Sequence, residues 1–261
     1  MYRCAAPGAA ESADANIAKN ANIRYHFDLR DNAFLETSPF GSEVYYKRYP
    51  LSAYYSDLVD LTKSHYAEMA ALLRAVFDVV IHGNGVIYHC SLGRDRTGTL
   101  SFILLALLGV SRKHVDMDYE LSGFSSLSDA GTPQKRTSTN YTGLANYFSS
   151  FGKPSLRDNV VKWALKAGLT IDELNAYRSA AINGTPTALN ASDYISQYEL
   201  TQNLTDCTSN VAGTEISEGA TLNVTITPYP GKKLDNISVT MGGTDITATA
   251  VSGSTVHIAS V

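Results

Sequence analysis

Between Ile23 and Leu29 apolar and polar residues alternate loosely, which predicts a strand with Asp28 at its end. Met69, Leu72, Leu73, Val76 and Val80 recur at helical spacing, so His65–His82 is expected as a helix with one face in a core. Gly83-Asn84-Gly85 ends it. Val86-Ile87-Tyr88 reads as a short buried strand, and Thr99 to Leu108 is apolar enough for a buried helix. Residues 2–5 and Glu43–Tyr49 are further strand candidates. Ser12–Asn20, Ser111–Leu121, Ala145–Phe151, Leu156–Ala167 and Ile171–Ile182 are helix candidates, and Thr170 with Glu173 forms a capping box at the start of the last. Leu51–Asp60 is rich in tyrosine and is expected in a pocket wall. Ser122–Thr142, rich in Ser, Thr, Gly and Asp, is expected as a loop or lid beside the site.

The pattern changes after Asn183-Gly184-Thr185-Pro186, which marks a domain end. Residues 1–186 are expected as one domain, 187–205 as a linker and 206–261 as a small β-sandwich-like module. From Gly213 onward charges are few and Thr, Val, Ser, Gly and Ile are many. Leu222, Val224 and Ile226 alternate with polar residues, a half-buried strand. Leu234, Ile237 and Val239 predict another, and Ile246 and Val256–Ile258 two more.

With 261 residues the chain is long enough for one α/β domain plus something smaller. A net charge of -4 gives no case for nucleic acid as a partner. The longest apolar run, Leu100 to Val110, is too short for a membrane span. Three cysteines, an odd and sparse set, argue against a disulfide scaffold, and no cluster has metal-ligand spacing.

The chemistry is concentrated in His89-Cys90-Ser91-Leu92-Gly93-Arg94-Asp95-Arg96-Thr97-Gly98, which joins a strand end to a helix start. A helix N-terminus offers unpaired N–H groups and the positive end of a dipole, a ready anion site. Residues 91–96 (Ser91, Leu92, Gly93, Arg94, Asp95 and Arg96) can curl into a cradle whose N–H groups point inward. The Arg96 guanidinium adds a planar fork suited to a tetrahedral oxyanion. The same positive field lowers the pKa of the Cys90 thiol, and a thiolate facing a bound phosphate is a nucleophile for phosphoryl transfer.

This loop resembles the Cys-x5-Arg loop of the protein tyrosine phosphatases. More closely it resembles the HCxAGKDRTG loop of a bacterial branch that includes secreted tyrosine and phosphoinositide phosphatases. Tyr2-Arg3-Cys4-Ala5 resembles that branch's YRSA-like strand, and Phe27-Asp28-Leu29-Arg30 with Glu36 its DLR segment. Val110-Ser111-Arg112-Lys113 with Asp118–Ser122 resembles the segment after the loop helix, and Ser155-Leu156-Arg157 through Tyr177-Arg178 its C-terminal helices. Arg94 stands where that branch has lysine and Leu92 where it has alanine. The resemblance implies a cysteine-phosphatase fold, a central mostly parallel sheet flanked by helices, whose first strands precede Met1. It implies attack by Cys90 on phosphorus, a phosphocysteine intermediate, and no metal or organic cofactor. Thr97 would donate to the Cys90 sulfur and His89 would order the loop. Gly93 and Gly98 would permit unusual backbone geometry or close approach.

Two aspartates are candidates for protonating the leaving oxygen, Asp28 and Asp95, with Asp28 equally readable as a cap of the next turn. Arg30 and Glu36 are expected as a structural ion pair. The implied substrates are phosphotyrosine, and beyond it phosphoserine/threonine or phosphoinositides. An inositol polyphosphate phosphatase of the phytase-like group is the second reading, supported by Arg94 and by Lys135-Arg136, which could meet an extra phosphate or be simply solvated. A binding protein without turnover is the reading from another class, although such a protein has no need of the thiol. Cys4 lies where the branch has a small residue; it either traps an oxidised Cys90 as a disulfide or is a buried thiol of no chemical consequence. The C-terminal module resembles β-repeats of bacterial surface proteins, which places the expected location outside the cell or on its surface.

Overall fold

The computed structural model describes residues 1–7, 12–31, 37–51, 58, 64–124 and 135–261, with 12–15 and 64–66 as backbone only. Glu36, most of Leu51–Asp60 and the middle of Ser122–Thr142 therefore lie outside the described residues. Two compact units form, Met1–Leu189 and Asn190–Val261.

The first unit is built on four parallel strands, β1 (Tyr2–Cys4), β2 (Ile23–Asp28), β3 (Tyr45–Arg48) and β4 (Gly85–His89), in the order β1-β4-β2-β3. The short apolar run before the loop is thus the strand flanked on both sides, and its residues Val86 to His89 are buried, as its composition predicts. The helices are α1 (Ser12–Asn20), α2 (Ser64–Ile81), α3 (Asp95–Leu107), α4 (Arg112–Leu121), α5 (Thr139–Ser149), α6 (Leu156–Lys166) and α7 (Ile171–Ala181). Side chains alternate between the two faces of the sheet. Ile23 and Ile87 pack with Ala18 of α1, whereas the Tyr88 hydroxyl lies 3.0 Å from the Ser101 hydroxyl of α3.

Helix α3 is apolar on all sides because it is buried on all sides: Thr97 to Leu104 are all buried, with Ala106 and Leu107. Phe102 stacks on Phe148, Tyr119 on Tyr141, and Phe77 on Tyr177. The predicted capping box of α7 is present, with Glu173 N donating to Thr170 Oγ1 and Thr170 N donating to the Glu173 carboxylate. Helix α5 starts six residues before the predicted Ala145. Its added turn is held by Tyr141, which stacks on Tyr119 and donates to Asp116, contacts that no local pattern reveals.

In the second unit β6 (Cys207–Ser209), β8 (Leu222–Pro228), β11 (Val251–Ser252) and β12 (Thr255–Ile258) form one antiparallel sheet, and β5 (Gln197–Glu199) pairs antiparallel with β7 (Glu215–Ser217). Part of the expected linker is therefore strand. The alternation along β8 puts Leu222, Val224 and Ile226 in a core with Ala250 and Val256. Two expectations fail here. Leu234, Ile237 and Val239 form no strand; they pack on that core instead, and burial needs no ladder partner. β9 (Thr240–Met241) and β10 (Thr244–Asp245) make only a short hairpin, and Ile246 precedes a helical turn, α8 (Thr247–Ala250). Among the described residues no helix is long and apolar enough to cross a membrane.

Candidate active site

The loop leaves the carboxyl end of the central strand β4 and enters α3, where an α/β sheet gathers its functional loops. Cys90 is buried at the start, and the backbone N–H groups of Gly93 and Thr97 point at its sulfur. Burial alone pushes the Cys90 thiol up. The Thr97 hydroxyl and N–H, the Arg96 charge and the Gly93 N–H outweigh it, so the thiol lies below its ordinary range. Thr97 Oγ1 is buried and has no regular hydrogen bond, which leaves its proton for a thiolate.

Gly93 is required twice over. Its φ of +67° suits glycine, and a Cβ there would stand 2.4 Å from the Cys4 carbonyl oxygen. Gly98 departs from expectation: a Cβ would meet only Tyr119 Cδ2 at 3.5 Å, an ordinary contact, so no close approach demands glycine. Strand β1 braces this turn. Arg3 Nη2 donates to the Gly93 carbonyl at 2.7 Å, its Nη1 pairs with Asp118 of α4, and Ala6 N donates to the Ser91 carbonyl at 3.0 Å.

Beneath the loop lies a buried polar layer. His89 Nδ1 donates to the Cys90 carbonyl at 2.9 Å, which fixes its tautomer, and burial lowers its pKa so that the ring is neutral. Its ring lies 4.8 Å from that of His26, and its Nε2 is 3.8 Å from Asp28 Oδ2. Asp28 is fully buried. Arg30 binds it with Nε at 2.9 Å and Nη2 at 2.7 Å, and the Tyr46 hydroxyl donates at 3.0 Å. Burial pushes the Asp28 carboxyl up, but the hydrogen bonds and charge of Arg30 more than reverse this, and it lies below its ordinary value. The partner expected for Arg30 was Glu36; among described residues it is Asp28. Burial and the charges of Cys90 and Asp28 push the Cys4 thiol up to about 12, so it is a protonated thiol.

The remaining predicted residues lie at the mouth. Ser91 is exposed and Leu92 half-buried. Arg94 binds Asp95 through Nε at 2.9 Å and Nη2 at 3.2 Å. Arg96 Nη2 donates to Ser91 Oγ at 3.4 Å, and its Nη1 pairs with Asp31 at 3.1 Å. Lys135 and Arg136 are both exposed, as expected of a solvated basic pair, and Arg136 Nε also binds Glu120 at 2.8 Å. Four residues here escaped sequence reasoning: Arg3, Asp31, Tyr46 and Arg48. Arg48 Nη2 donates to the Asp31 carbonyl at 2.5 Å. Asp31 directly follows the DLR segment, and that adjacency was the available signal.

Residues 1–192 match the model of a family described as the tyrosine phosphatase family. The chain belongs to the tyrosine phosphatase family. It is thus a phosphatase, and its central parallel sheet flanked by helices accords with the phosphatase fold. Among solved structures it is similar to P. aeruginosa TpbA, with a TM-score of 0.41 and 17% identity over 63% of this chain and 84% of that one. No curated protein matches it.

Proposed function

We propose that this tyrosine phosphatase family member hydrolyses phosphate monoesters by covalent catalysis at Cys90, with phosphotyrosine as its first substrate class. The observation that carries the reading is the ring of donors around the Cys90 sulfur, which depresses the thiol in spite of burial. Substrate phosphate would lie over the sulfur, bound by the N–H groups of residues 91–96 and the Arg96 fork. The thiolate attacks phosphorus in line, and a phosphocysteine forms as the ester P–O bond breaks. Water then attacks phosphorus and the thiolate leaves, eased by the Thr97 hydroxyl. A carboxyl group gives a proton to the leaving oxygen and takes one from water. Asp28 is poorly suited to that part, since Arg30 and Tyr46 hold its buried carboxylate ionised.

Two features supported an inositol polyphosphate phosphatase, and both are weakened by pairing. Arg136 is engaged by Glu120, and Arg94 by Asp95. The HCxAGKDRTG-like loop keeps phosphoinositides as a substrate class to be ranked, and the Thr- and Ser-rich β unit supports a location outside the cell.

The experiment is phosphate release without added metal at about pH 5–7, which spans the range in which activated cysteines ionise. Phosphotyrosine peptide, phosphoserine peptide, phosphoinositides and inositol hexakisphosphate are compared for wild type and Cys90→Ser. Turnover strongest on phosphotyrosine and lost in Cys90→Ser is expected, with a phosphorylated Cys90 peptide in acid-quenched samples. No turnover on any ester by folded, reduced protein would replace this reading with a phospho-ligand-binding role.

A further inference from the structure

Among the described residues, Asp28, Asp31 and Asp95 lie around the loop, and they differ in what holds them. Asp28 is buried. Asp95 sits at the start of α3, where Arg94 holds its carboxylate in a two-pronged contact at 2.9 and 3.2 Å. Asp31 is different. It follows β2 at the same edge of the sheet from which the loop leaves, its side chain is 70% exposed, and its Oδ1 lies 3.1 Å from Nη1 of Arg96. Its backbone is fixed by Arg48, which donates to the carbonyls of Asp31 at 2.5 Å and Arg30 at 3.4 Å.

From this placement we propose that Asp31 is the acid–base catalyst of the site, a role that rests on the covalent mechanism proposed above. In the free site its carboxylate serves as counter-ion to Arg96. An incoming phosphate dianion takes up Arg96 donors and brings like charge beside the carboxylate. Both changes favour a proton on Asp31 when the ester oxygen is at hand. As the S–P bond forms and the ester P–O bond breaks, that proton passes to the leaving oxygen. In the second step a water O–P bond forms, the S–P bond breaks, and the water proton returns to Asp31. One residue thereby neutralises the phosphate-binding arginine between turnovers and is released from it by the substrate.

The test uses the full chain and two esters, p-nitrophenyl phosphate, whose phenol leaves readily, and phenyl phosphate, whose phenol needs a proton. For Asp31→Asn we expect kcat on phenyl phosphate to fall by about 100-fold or more, the usual worth of a general acid. The fall on p-nitrophenyl phosphate should be far smaller, and the alkaline limb of the kcat profile should vanish. Asp31→Glu should restore part of the phenyl phosphate rate. Equal losses on both esters with the alkaline limb retained would overturn the proposal and leave Asp31 as a positioning residue for Arg96. The same leaving-group dependence in Asp95→Asn but not in Asp31→Asn would also overturn it. Cys90→Ser separates the underlying reading: wild-type turnover in that variant would defeat the thiolate mechanism and this proposal with it.

Discussion

Arg3 and Gly93 are ninety positions apart, and the guanidinium of the first holds the carbonyl of the second at 2.7 Å. The contact pins the one turn of the loop whose backbone is left-handed, in a place where Cβ would strike Cys4. Gly93→Ala combines a left-handed alanine with a backbone clash, each worth about 1–3 kcal/mol. We expect it to lower the urea midpoint sharply and to abolish phosphate release. Gly98→Ala, which meets only an ordinary contact, should keep or raise the midpoint, since alanine favours a helix. Equal midpoints for the two variants would contradict this account of the loop.

The thiol should report its surroundings directly. Alkylation of Cys90 by iodoacetamide, followed against pH, should show a midpoint below that of a free cysteine. Thr97→Val should move that midpoint upward, because it removes the hydroxyl that favours the thiolate while retaining the N–H. Cys4 should react only at strongly alkaline pH, its thiol being pushed up to about 12. Rapid alkylation of Cys4 at neutral pH would contradict a thiol shielded by burial and by the charges of Cys90 and Asp28.

Asp28→Asn should act on stability. It leaves Arg30 facing a neutral amide in place of a buried carboxylate, a loss of about 3 kcal/mol for a broken buried pair. The measurement is equilibrium unfolding alongside kinetics on the two aryl esters. A stable variant with a selective defect on phenyl phosphate would return Asp28 to the chemistry.

Acid should destabilise the fold through the histidine layer. Burial, then the neighbouring His89 and Arg30, push His26 down to about 3 from an ordinary 6.5, with Asp28 opposing. The unfolded chain therefore binds the extra proton between those values. Stability is complete above 6.5 and falls as pH drops towards 3, by at most about 1.4 kcal/mol per unit for one such group. Asp28, with its lowered carboxyl, adds a further loss at the acid end. The melting temperature followed from pH 7 to pH 4 checks this, and His26→Phe should flatten the slope. An unchanged slope would place the acid sensitivity elsewhere.

Legibility divided along the range of the contacts. Strand β4, the loop and α3 were readable because a short apolar run, a Cys-x5-Arg spacing and a long apolar run are local signals. The capping box of α7 was readable for the same reason. Asp31 beside Arg96 was not, because strands β2 and β4 are brought together only by pairing, and the registers that align Asp28 with His89 leave no trace in spacing. The strand expected at Leu234–Val239 failed for a related reason: alternation reports one-sided burial and says nothing about whether a ladder partner exists.

Helix α3 carries Arg96 and Thr97 on its first turn and is buried along nearly its whole length. Both residues act on the Cys90 sulfur, and both are therefore mounted on an enclosed rod of the unit. No peripheral melting can loosen them while the core stands. Heat inactivation should accordingly coincide with loss of the near-ultraviolet aromatic signal, and the α3 amides beyond its first turn should exchange hydrogen only through global opening. For an engineer this inverts the usual trade: substitutions that tighten the core around Phe102 and Leu104 would extend the working temperature of the site without touching its chemistry.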